Sequence, residues 1–214
     1  KGYLSRVFYL SKTWVSDWMS LMKSEVKPIF VVGMPRSGTT LVQALIGTNT
    51  DVFTLPETHV FSSGKKLFRP KPKLLAIIIA NYFVYKSLRQ AGCRIVRPTI
   101  DGDSLVLVVH AELSRMALER EKTFYLEKTP AHLHHIHSIA RNLPTGKFIF
   151  VTRKLSSCVE SYYKLMGAWV HDSEGDIASA ISRWFNDAAL IELRAREVGG
   201  LIVNYDDLID EKMR

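Results

Sequence analysis

Apolar positions along the chain follow two alternating patterns, one typical of buried strands and one typical of amphipathic helices. Short runs of β-branched and aromatic residues predict strands, and longer stretches with apolar residues every three or four positions predict helices. The predicted strands cover residues 28–32, 51–55, 123–127, 147–152 and 200–205. The predicted helices cover residues 3–22, 39–47, 74–90, 101–121, 131–142, 155–166 and 174–198. A basic loop that contains prolines is predicted over residues 62–73.

The order of these elements predicts an α/β fold with three layers, in which a central parallel sheet is flanked by helices on both faces. Strands that alternate with helices of about a dozen residues are typical of parallel sheets. In such sheets, ligands bind beyond the carboxyl ends of the strands. The 214 residues, of which 47% are hydrophobic, are enough to bury one sizeable core. We therefore expect a single domain over residues 1–214.

The segment GMPRSGTT, residues 33–40, joins the first predicted strand to the helix that follows it. Gly33 and Gly38 keep the glycine spacing of the phosphate-binding loop, G-x-x-x-x-G-K-[ST]. The first backbone N–H groups of a helix have no partner within it, and the helix dipole favours a negative charge there. The donors predicted for such an anion are the N–H groups of Ser37, Gly38, Thr39 and Thr40. This segment is therefore predicted to be an anion site, although a plain strand-to-helix turn would show the same two glycines.

Two features of the sequence argue against the hydrolysis of ATP or GTP. Thr39 stands where the phosphate-binding loop of nucleotide hydrolases has lysine, and no predicted strand ends in the aspartate that usually helps to hold Mg²⁺. Arg36 instead offers a guanidinium group, which suits a planar or tetrahedral oxyanion. The loop is therefore predicted to bind a phosphate or sulfate ester without a metal ion.

A second candidate anion site follows the strand predicted over residues 147–152. Arg153 lies just beyond the end of this strand, and Ser161 lies eight residues later on the next predicted helix. The helix brings residue 161 back over its own first turns, so both side chains could hold one anion. Taken alone, the pair decides little, because an arginine after a strand is often a surface or capping residue.

Four motifs in this order, VVGMPRSGTTL, EKTP, VTRKLSSCVESYYK and VNYDDL, resemble the sulfotransferases that use 3′-phosphoadenosine 5′-phosphosulfate (PAPS). The resemblance extends from residue 28 to about residue 210 and implies the P-loop-like version of the α/β fold. It also implies that the first loop holds the 5′-phosphosulfate, that Arg153 and Ser161 hold the 3′-phosphate, and that Tyr205 lies near the donor. In this family the transfer needs no metal. Family members normally continue beyond the equivalent of Arg214, so we expect that the domain is truncated at its C-terminus.

Sulfuryl transfer to an alcohol or amine is an in-line displacement that needs cations beside the transferred group and a base for the acceptor's proton. By the resemblance, Arg36 and Lys128 contact the transferred group. An arginine in the loop is typical of the branch of the family that includes the tyrosylprotein sulfotransferases and many bacterial members. In this branch a glutamate is the general base, and Glu57 matches that glutamate. Histidine has the more suitable unperturbed pKa, but His59 lies two residues off the pattern and remains the alternative.

The balance of charge is basic, with 29 Lys and Arg residues against 21 Asp and Glu residues. The basic residues form only short clusters and are spread along the chain, which favours a small anionic ligand over a nucleic acid.

Cys93 and Cys158 are too few for a disulfide framework. Four histidines between residues 132 and 137 have no acidic or cysteine partner at a metal-binding spacing, so a solvated or partly packed helix face is predicted. The longest apolar run, residues 74–85, is too short to span a bilayer.

These predictions describe an enzyme whose donor co-substrate is PAPS and whose acceptor carries a hydroxyl or amine group. Residues 58–120, which would shape the acceptor pocket, contain no motif that chooses between a small molecule, a glycan, a lipid and a peptide. The alternatives are a P-loop kinase of a small metabolite and a nucleotide-binding protein without activity. The missing lysine disfavours the first, and the intact anion sites with a candidate base disfavour the second. The bacterial cytoplasm is the expected compartment, or the Golgi lumen if an anchor precedes residue 1.

Overall fold

A parallel five-stranded sheet forms the centre of the part of the chain that the computed structural model describes, residues 26–69, 73–93, 99–166 and 174–212. The strands are β1 (Lys27–Gly33), β2 (Val52–Thr54), β3 (Phe124–Lys128), β4 (Lys147–Thr152) and β5 (Leu201–Asn204). Their order in the sheet is β2-β3-β1-β4-β5, and every neighbouring pair is parallel. The carboxyl end of β1, where the glycine-containing loop begins, therefore lies between β3 and β4.

Helices connect the strands and cover both faces of the sheet. They are α1 (Thr39–Ile46), α2 (Val60–Ser63), α3 (Leu74–Gln90), α4 (Gly102–Leu118), α5 (Ile136–Asn142), α6 (Leu155–Met166), α7 (Glu174–Val198) and α8 (Tyr205–Lys212). Two 3₁₀ helices cover Lys65–Phe68 and Pro130–His135. The bounds of α3, α6 and α7 are those predicted from the sequence, and the helix predicted over residues 3–22 lies outside the described residues. No helix in the described ranges is long and apolar enough to cross a membrane.

Neighbouring residues of the central strand pack on opposite faces of the sheet. Phe30 belongs to the larger hydrophobic cluster, which joins the sheet to α3, α4, α5 and α7, and its ring stacks on Phe148 with the centroids 5.6 Å apart. Val31 belongs to the smaller cluster, with Val42 of α1 and Leu208 of α8. Because side chains alternate along a strand, β1 is apolar on both faces, as an inner strand of a covered sheet must be. The two clusters confirm the predicted three-layer α/β fold.

Three segments differ from the structure that their sequence predicts. The segment predicted as a loop, residues 62–73, contains the end of α2 and a 3₁₀ helix, because Leu67 packs in the larger cluster and holds the chain against it. The helix predicted over residues 131–142 starts as a 3₁₀ helix, with Pro130 in its first turn. The last predicted strand ends at Asn204, because its side-chain oxygen accepts a hydrogen bond from the backbone N–H of Asp206 at 3.0 Å. This local bond turns the chain directly into α8.

Candidate active site

The loop between β1 and α1 makes a tight turn. Arg36 and Gly38 have left-handed φ angles of 68° and 92°. The buried hydroxyl of Ser37 donates to the carbonyl oxygen of Met34 at 2.7 Å, which closes the loop on itself. A Cβ atom at Gly38 would collide with the ring of Tyr205, so glycine is required both for the φ angle and for the space. No side chain of the described residues caps α1, so its first N–H groups are free to meet a ligand beyond the end of β1.

A cleft of about 430 Å³ opens above this loop, at the carboxyl ends of the strands. It is lined by Pro35, Arg36, Gly38, Thr39, Thr40, Leu41, Glu57, Pro130, Arg153, Ser161 and Tyr205. Eight of these residues are ones that the sequence predicts for the site. Of the other three predicted residues, Lys128 and His59 contact Glu57 beside the cleft. Ser37 is buried in the loop, and its N–H donates to the carbonyl oxygen of Met34 at 3.2 Å, so the donor predicted at Ser37 is not free for an anion. The fold thus brings the predicted catalytic and donor-binding residues together in one place.

Arg36, Arg153 and Ser161 form one cationic cluster in this cleft. Nε of Arg36 donates to Oγ of Ser161 at 3.0 Å, and Nη1 of Arg153 donates to the carbonyl oxygen of Arg36 at 3.2 Å. The guanidinium carbon of Arg153 lies 4.5 Å from the centroid of the Tyr205 ring. Nε of Arg153 is buried and has no hydrogen-bond partner among the described residues. Because a buried donor without a partner is unfavourable, this atom suits a ligand that supplies an acceptor.

A second cleft of about 420 Å³ adjoins the first and shares Arg36, Arg153 and Ser161 with it. Its other lining residues are Ser157, Glu160 and Lys164, all on α6. Sequence reasoning missed Ser157 and Lys164 as site residues. The signal was present, because residues 157, 161 and 164 are four and three positions apart and therefore share one face of a helix.

In the first cleft, Glu57 contacts two other candidate catalytic groups at once. Nζ of the buried Lys128 makes a short ion pair with Oε1 of Glu57 and also donates to Oγ1 of Thr40 at 3.3 Å. Nε2 of His59 lies 3.2 Å from Oε2 of Glu57. The side chain of Glu57 is 32% exposed and that of His59 is 59% exposed, so both reach the solvent. The two candidate bases are therefore in contact with each other, and Lys128 links Glu57 to the first turn of α1.

A buried network beneath Glu57 was not predicted from the sequence. Glu127 is fully buried, and its Oε1 accepts hydrogen bonds from the hydroxyl groups of Thr58 at 2.8 Å and Thr129 at 2.7 Å. Its Oε2 lies 2.9 Å from Nδ1 of His132, while Nε2 of His132 accepts from the backbone N–H of Phe61 at 3.3 Å. Because Nε2 accepts, Nδ1 of His132 carries a proton and donates it to Glu127.

Every group that faces Glu127 in this network donates to it, which favours the ionised carboxylate. Burial by itself raises the pKa of Glu127, but the contact with His132 and the hydrogen bonds from two threonine hydroxyls outweigh burial, so the pKa lies below its ordinary value. Side chains alternate along a strand, so Glu127 points into the interior, whereas its neighbour Lys128 points toward the cleft. Lys128 meets Glu57 and Glu127 meets Thr58, and these two contacts tie the loop after β2 to the end of β3. The available signal was a carboxylate directly after the apolar run of β3, since buried charges need partners.

The histidines His132, His134, His135 and His137 do not form a metal site. Among the described residues, no group of three or more His, Cys, Asp or Glu side chains could hold a metal ion. His135 packs on Phe68 with the ring centroids 4.4 Å apart, and burial together with the neighbouring histidines lowers the pKa of His135 to about 4. The side chains of His134 and His137 are largely exposed. His134 and His137 therefore lie on a solvated face, as the sequence predicts, whereas His132 is fully buried against an acidic partner, Glu127, which the sequence pattern did not indicate.

Comparison with known proteins places the chain in a family. The model of the family described as "Sulfotransferase family" matches residues 28–214. The sulfotransferase domain from the Synechococcus PCC 7002 olefin synthase has a similar structure, with 18% identity and a TM-score of 0.56 over 87% of this chain and 69% of that chain. Sulfotransferase STF9 from Mycobacterium avium is similar at 15% identity, with a TM-score of 0.55 over 94% of this chain and 64% of that chain.

A relative in sequence is an uncharacterized protein of Aquifex aeolicus (strain VF5), which is 29% identical over 150 residues. The match covers 70% of this chain but only 18% of that relative, so the chain spans less than a fifth of the relative's length. The two solved structures, at their low identities, show the α/β fold. The family model covers well over half of the chain and includes the loop, the cleft and the buried network. This chain therefore belongs to the sulfotransferase family.

Proposed function

We propose that this chain transfers a sulfuryl group from PAPS to a hydroxyl or amine group of an acceptor. The observation that carries the proposal is a single cleft in which a cationic cluster and a helix N-terminus adjoin a carboxylate paired with a lysine. The cationic cluster and the helix N-terminus suit a donor with two anionic groups. The carboxylate suits an acceptor that must lose a proton. Membership of the sulfotransferase family supports the same class of reaction.

The two anionic groups of PAPS match two adjoining sets of donors. The N–H groups at the start of α1 and the side chain of Arg36 would hold the 5′-phosphosulfate. Arg153 and Ser161 would hold the 3′-phosphate, and the buried Nε of Arg153 would gain the acceptor that it lacks. Ser157 and Lys164 line the adjoining cleft and would extend this second site.

Glu57 would act as the general base. Its carboxylate accepts the proton of the acceptor's hydroxyl or amine while the acceptor's oxygen or nitrogen forms a bond to sulfur. The bond between sulfur and the bridging oxygen of PAPS breaks on the opposite side, and 3′,5′-adenosine bisphosphate (PAP) leaves with the electron pair. Lys128 and Arg36 would neutralise the charge that develops on the sulfuryl oxygens and the leaving phosphate. Lys128 suits this role because its Nζ lies 3.3 Å from Oγ1 of Thr40, on the first turn of α1.

Binding and turnover test this proposal separately. Calorimetry should show that the full chain binds PAP in the absence of Mg²⁺, and labelled PAPS should transfer its label to members of a panel of hydroxyl and amine acceptors. Glu57→Gln should lower kcat by about 10²–10⁴-fold and leave the Kd for PAP unchanged, because the glutamine amide cannot take the acceptor's proton but its oxygen can still accept from Lys128. Binding of Mg-ATP without any binding of PAP would overturn the proposal in favour of a kinase.

The matched variant His59→Gln distinguishes the two candidate bases. His59 contacts Glu57 and is the more exposed of the two, so we expect His59→Gln to keep most of the turnover. Normal turnover by Glu57→Gln together with a loss in His59→Gln would assign the base to His59. In either case the sulfuryl-transfer proposal itself depends on the binding of PAP and on label transfer by the unaltered chain.

A further inference from the structure

Helix α3 is apolar on two faces, and among the residues that the structure describes only one of these faces is packed in a hydrophobic cluster. Ala80, Val84 and Leu88 lie on the inner face and are buried in the larger hydrophobic cluster. The outer face consists of Leu74, Leu75, Ile78, Tyr82 and Tyr85, whose exposed fractions range from 51% to 74%. These positions follow one another at helical spacing, so they form one continuous stripe on this helix of 17 residues. A contiguous apolar surface of this kind is typical of a binding site.

The segment that contains the outer face carries an excess of positive charge. Residues 58–100 include nine Lys and Arg residues and no Asp or Glu. The rest of the chain has 20 basic and 21 acidic residues, so this segment accounts for the whole net charge of +8. The excess arises because this segment contains many basic residues and no acidic ones. Lys73 precedes α3, and Lys86 and Arg89 lie in its last two turns, so exposed cations stand at both ends of the outer face.

We propose that the outer face of α3 binds the surface of an anionic lipid bilayer. Helices that lie in a membrane interface combine an apolar face of aliphatic and aromatic side chains with lysine or arginine beside it. Tyrosine, with its apolar ring and polar hydroxyl, is enriched at the level of the headgroups. The cations at the two ends would contact anionic headgroups, while the aliphatic side chains between them enter the boundary with the acyl chains. The buried inner face keeps α3 on the protein, so the helix lies parallel to the bilayer over about 25 Å.

Charge and apolar area together distinguish a bilayer from other occupants. A nucleic acid would match the cations but would leave Leu74, Leu75 and Ile78 without an apolar partner. A second copy of this chain would cover the apolar side chains but would bring two segments of the same positive charge together. An anionic bilayer satisfies both kinds of group.

Co-sedimentation of the full chain with lipid vesicles tests the proposal without any need for sulfuryl transfer. Vesicles with about one third phosphatidylserine should bind the chain about tenfold more tightly than vesicles of phosphatidylcholine alone, and salt should weaken this binding. The triple variant Leu75→Gln/Ile78→Gln/Tyr82→Gln should lose about tenfold in affinity. The matched control is Phe185→Gln/Leu193→Gln on α7, whose two side chains are similarly exposed, and it should bind like the unaltered chain.

A single fluorescent label tests the same face with only one altered residue. Cys93 and Cys158 are both buried, so a polarity-sensitive dye on Ile78→Cys reports the introduced position. Its emission should shift to shorter wavelength with phosphatidylserine vesicles, whereas a dye on Leu193→Cys should not respond. The proposal is wrong if the unaltered chain does not bind these vesicles, if the triple variant binds as well as the unaltered chain, or if the dye at position 78 shows no shift. A dimer in light scattering that the triple variant abolishes would also overturn it, since the face would then bind a second copy.

Discussion

Replacement of Thr58 with valine should slow sulfuryl transfer without weakening the binding of PAP. Valine keeps the shape of the side chain but removes the hydroxyl group that donates to Oε1 of Glu127 at 2.8 Å. Thr58 adjoins Glu57, the proposed base, and the next residues of the loop donate backbone hydrogen bonds to the same buried network. The position of Glu57 in the cleft therefore depends on a network that does not touch the donor site.

The size of the effect follows from the charge of Glu127. A hydrogen bond to a charged group contributes about 1.5–3 kcal/mol, so the free energy of unfolding should fall by about that amount. The corresponding decrease in Tm is about 2–4 °C per kcal/mol for a domain of this size. Because a displacement of about 1 Å can slow a reaction by about a hundredfold, we expect kcat to fall by about tenfold to a hundredfold.

The assay compares Thr58→Val with Thr58→Ser, which restores the hydroxyl group. Label transfer from PAPS, calorimetric binding of PAP and thermal unfolding would be measured for both variants. Serine should recover most of kcat, and neither variant should change the Kd for PAP, because Arg153 and Ser161 lie outside the network. A loss of stability with an unchanged kcat would show that the network supports only the fold. A loss of PAP binding in Thr58→Val would show general damage and refute the reasoning.

Two further predictions concern the donor site and the dependence of stability on pH. Arg153→Ala should weaken PAP binding by about tenfold to a hundredfold in calorimetry, as expected for a loss of about 1.5–3 kcal/mol, whereas the exposed control Arg196→Ala should have no effect. An unchanged Kd for Arg153→Ala would contradict the assigned 3′-phosphate site. The pKa of His135 falls from 6.5 to about 4 on folding, so its contribution to stability is complete above pH 6.5 and is lost as the pH falls toward 4. His135→Phe keeps a ring beside Phe68 and should flatten the dependence of Tm on pH in this range; an unaltered dependence would assign it to other groups.

The class of fold could be predicted because hydrophobic periodicity is a local property of the chain. The bounds of α3, α6, α7 and β4 agree with the sequence pattern. The predicted site residues follow the ends of predicted strands, and parallel strands bring their carboxyl ends to one edge of the sheet. For this reason the anion loop, Glu57 and Arg153 could be assigned to one region before their contacts were known.

The contacts within the site could not be predicted, because they join residues far apart in the chain. Arg36 and Ser161 are 125 positions apart, and Thr58 and Glu127 are 69 positions apart. Both contacts depend on the order of the sheet, in which β3 and β4 lie on either side of β1. A buried strand has the same apolar sequence whichever strand it pairs with, so its hydrophobic pattern does not specify the order of the strands in the sheet.

The sequence by itself determined most of the secondary-structure elements, the candidate anion-binding loop and the resemblance to the sulfotransferases. Only the tertiary structure decided that the two predicted anion sites form one cationic cluster, that Glu127 supports the loop of Glu57, and that α3 presents an apolar face to the outside. Apolar residues run around α3 on both sides, so the local pattern did not distinguish the packed face from the outer face. The physical reason is that periodicity is set by neighbouring residues, whereas burial is set by which surfaces meet when the sheet assembles.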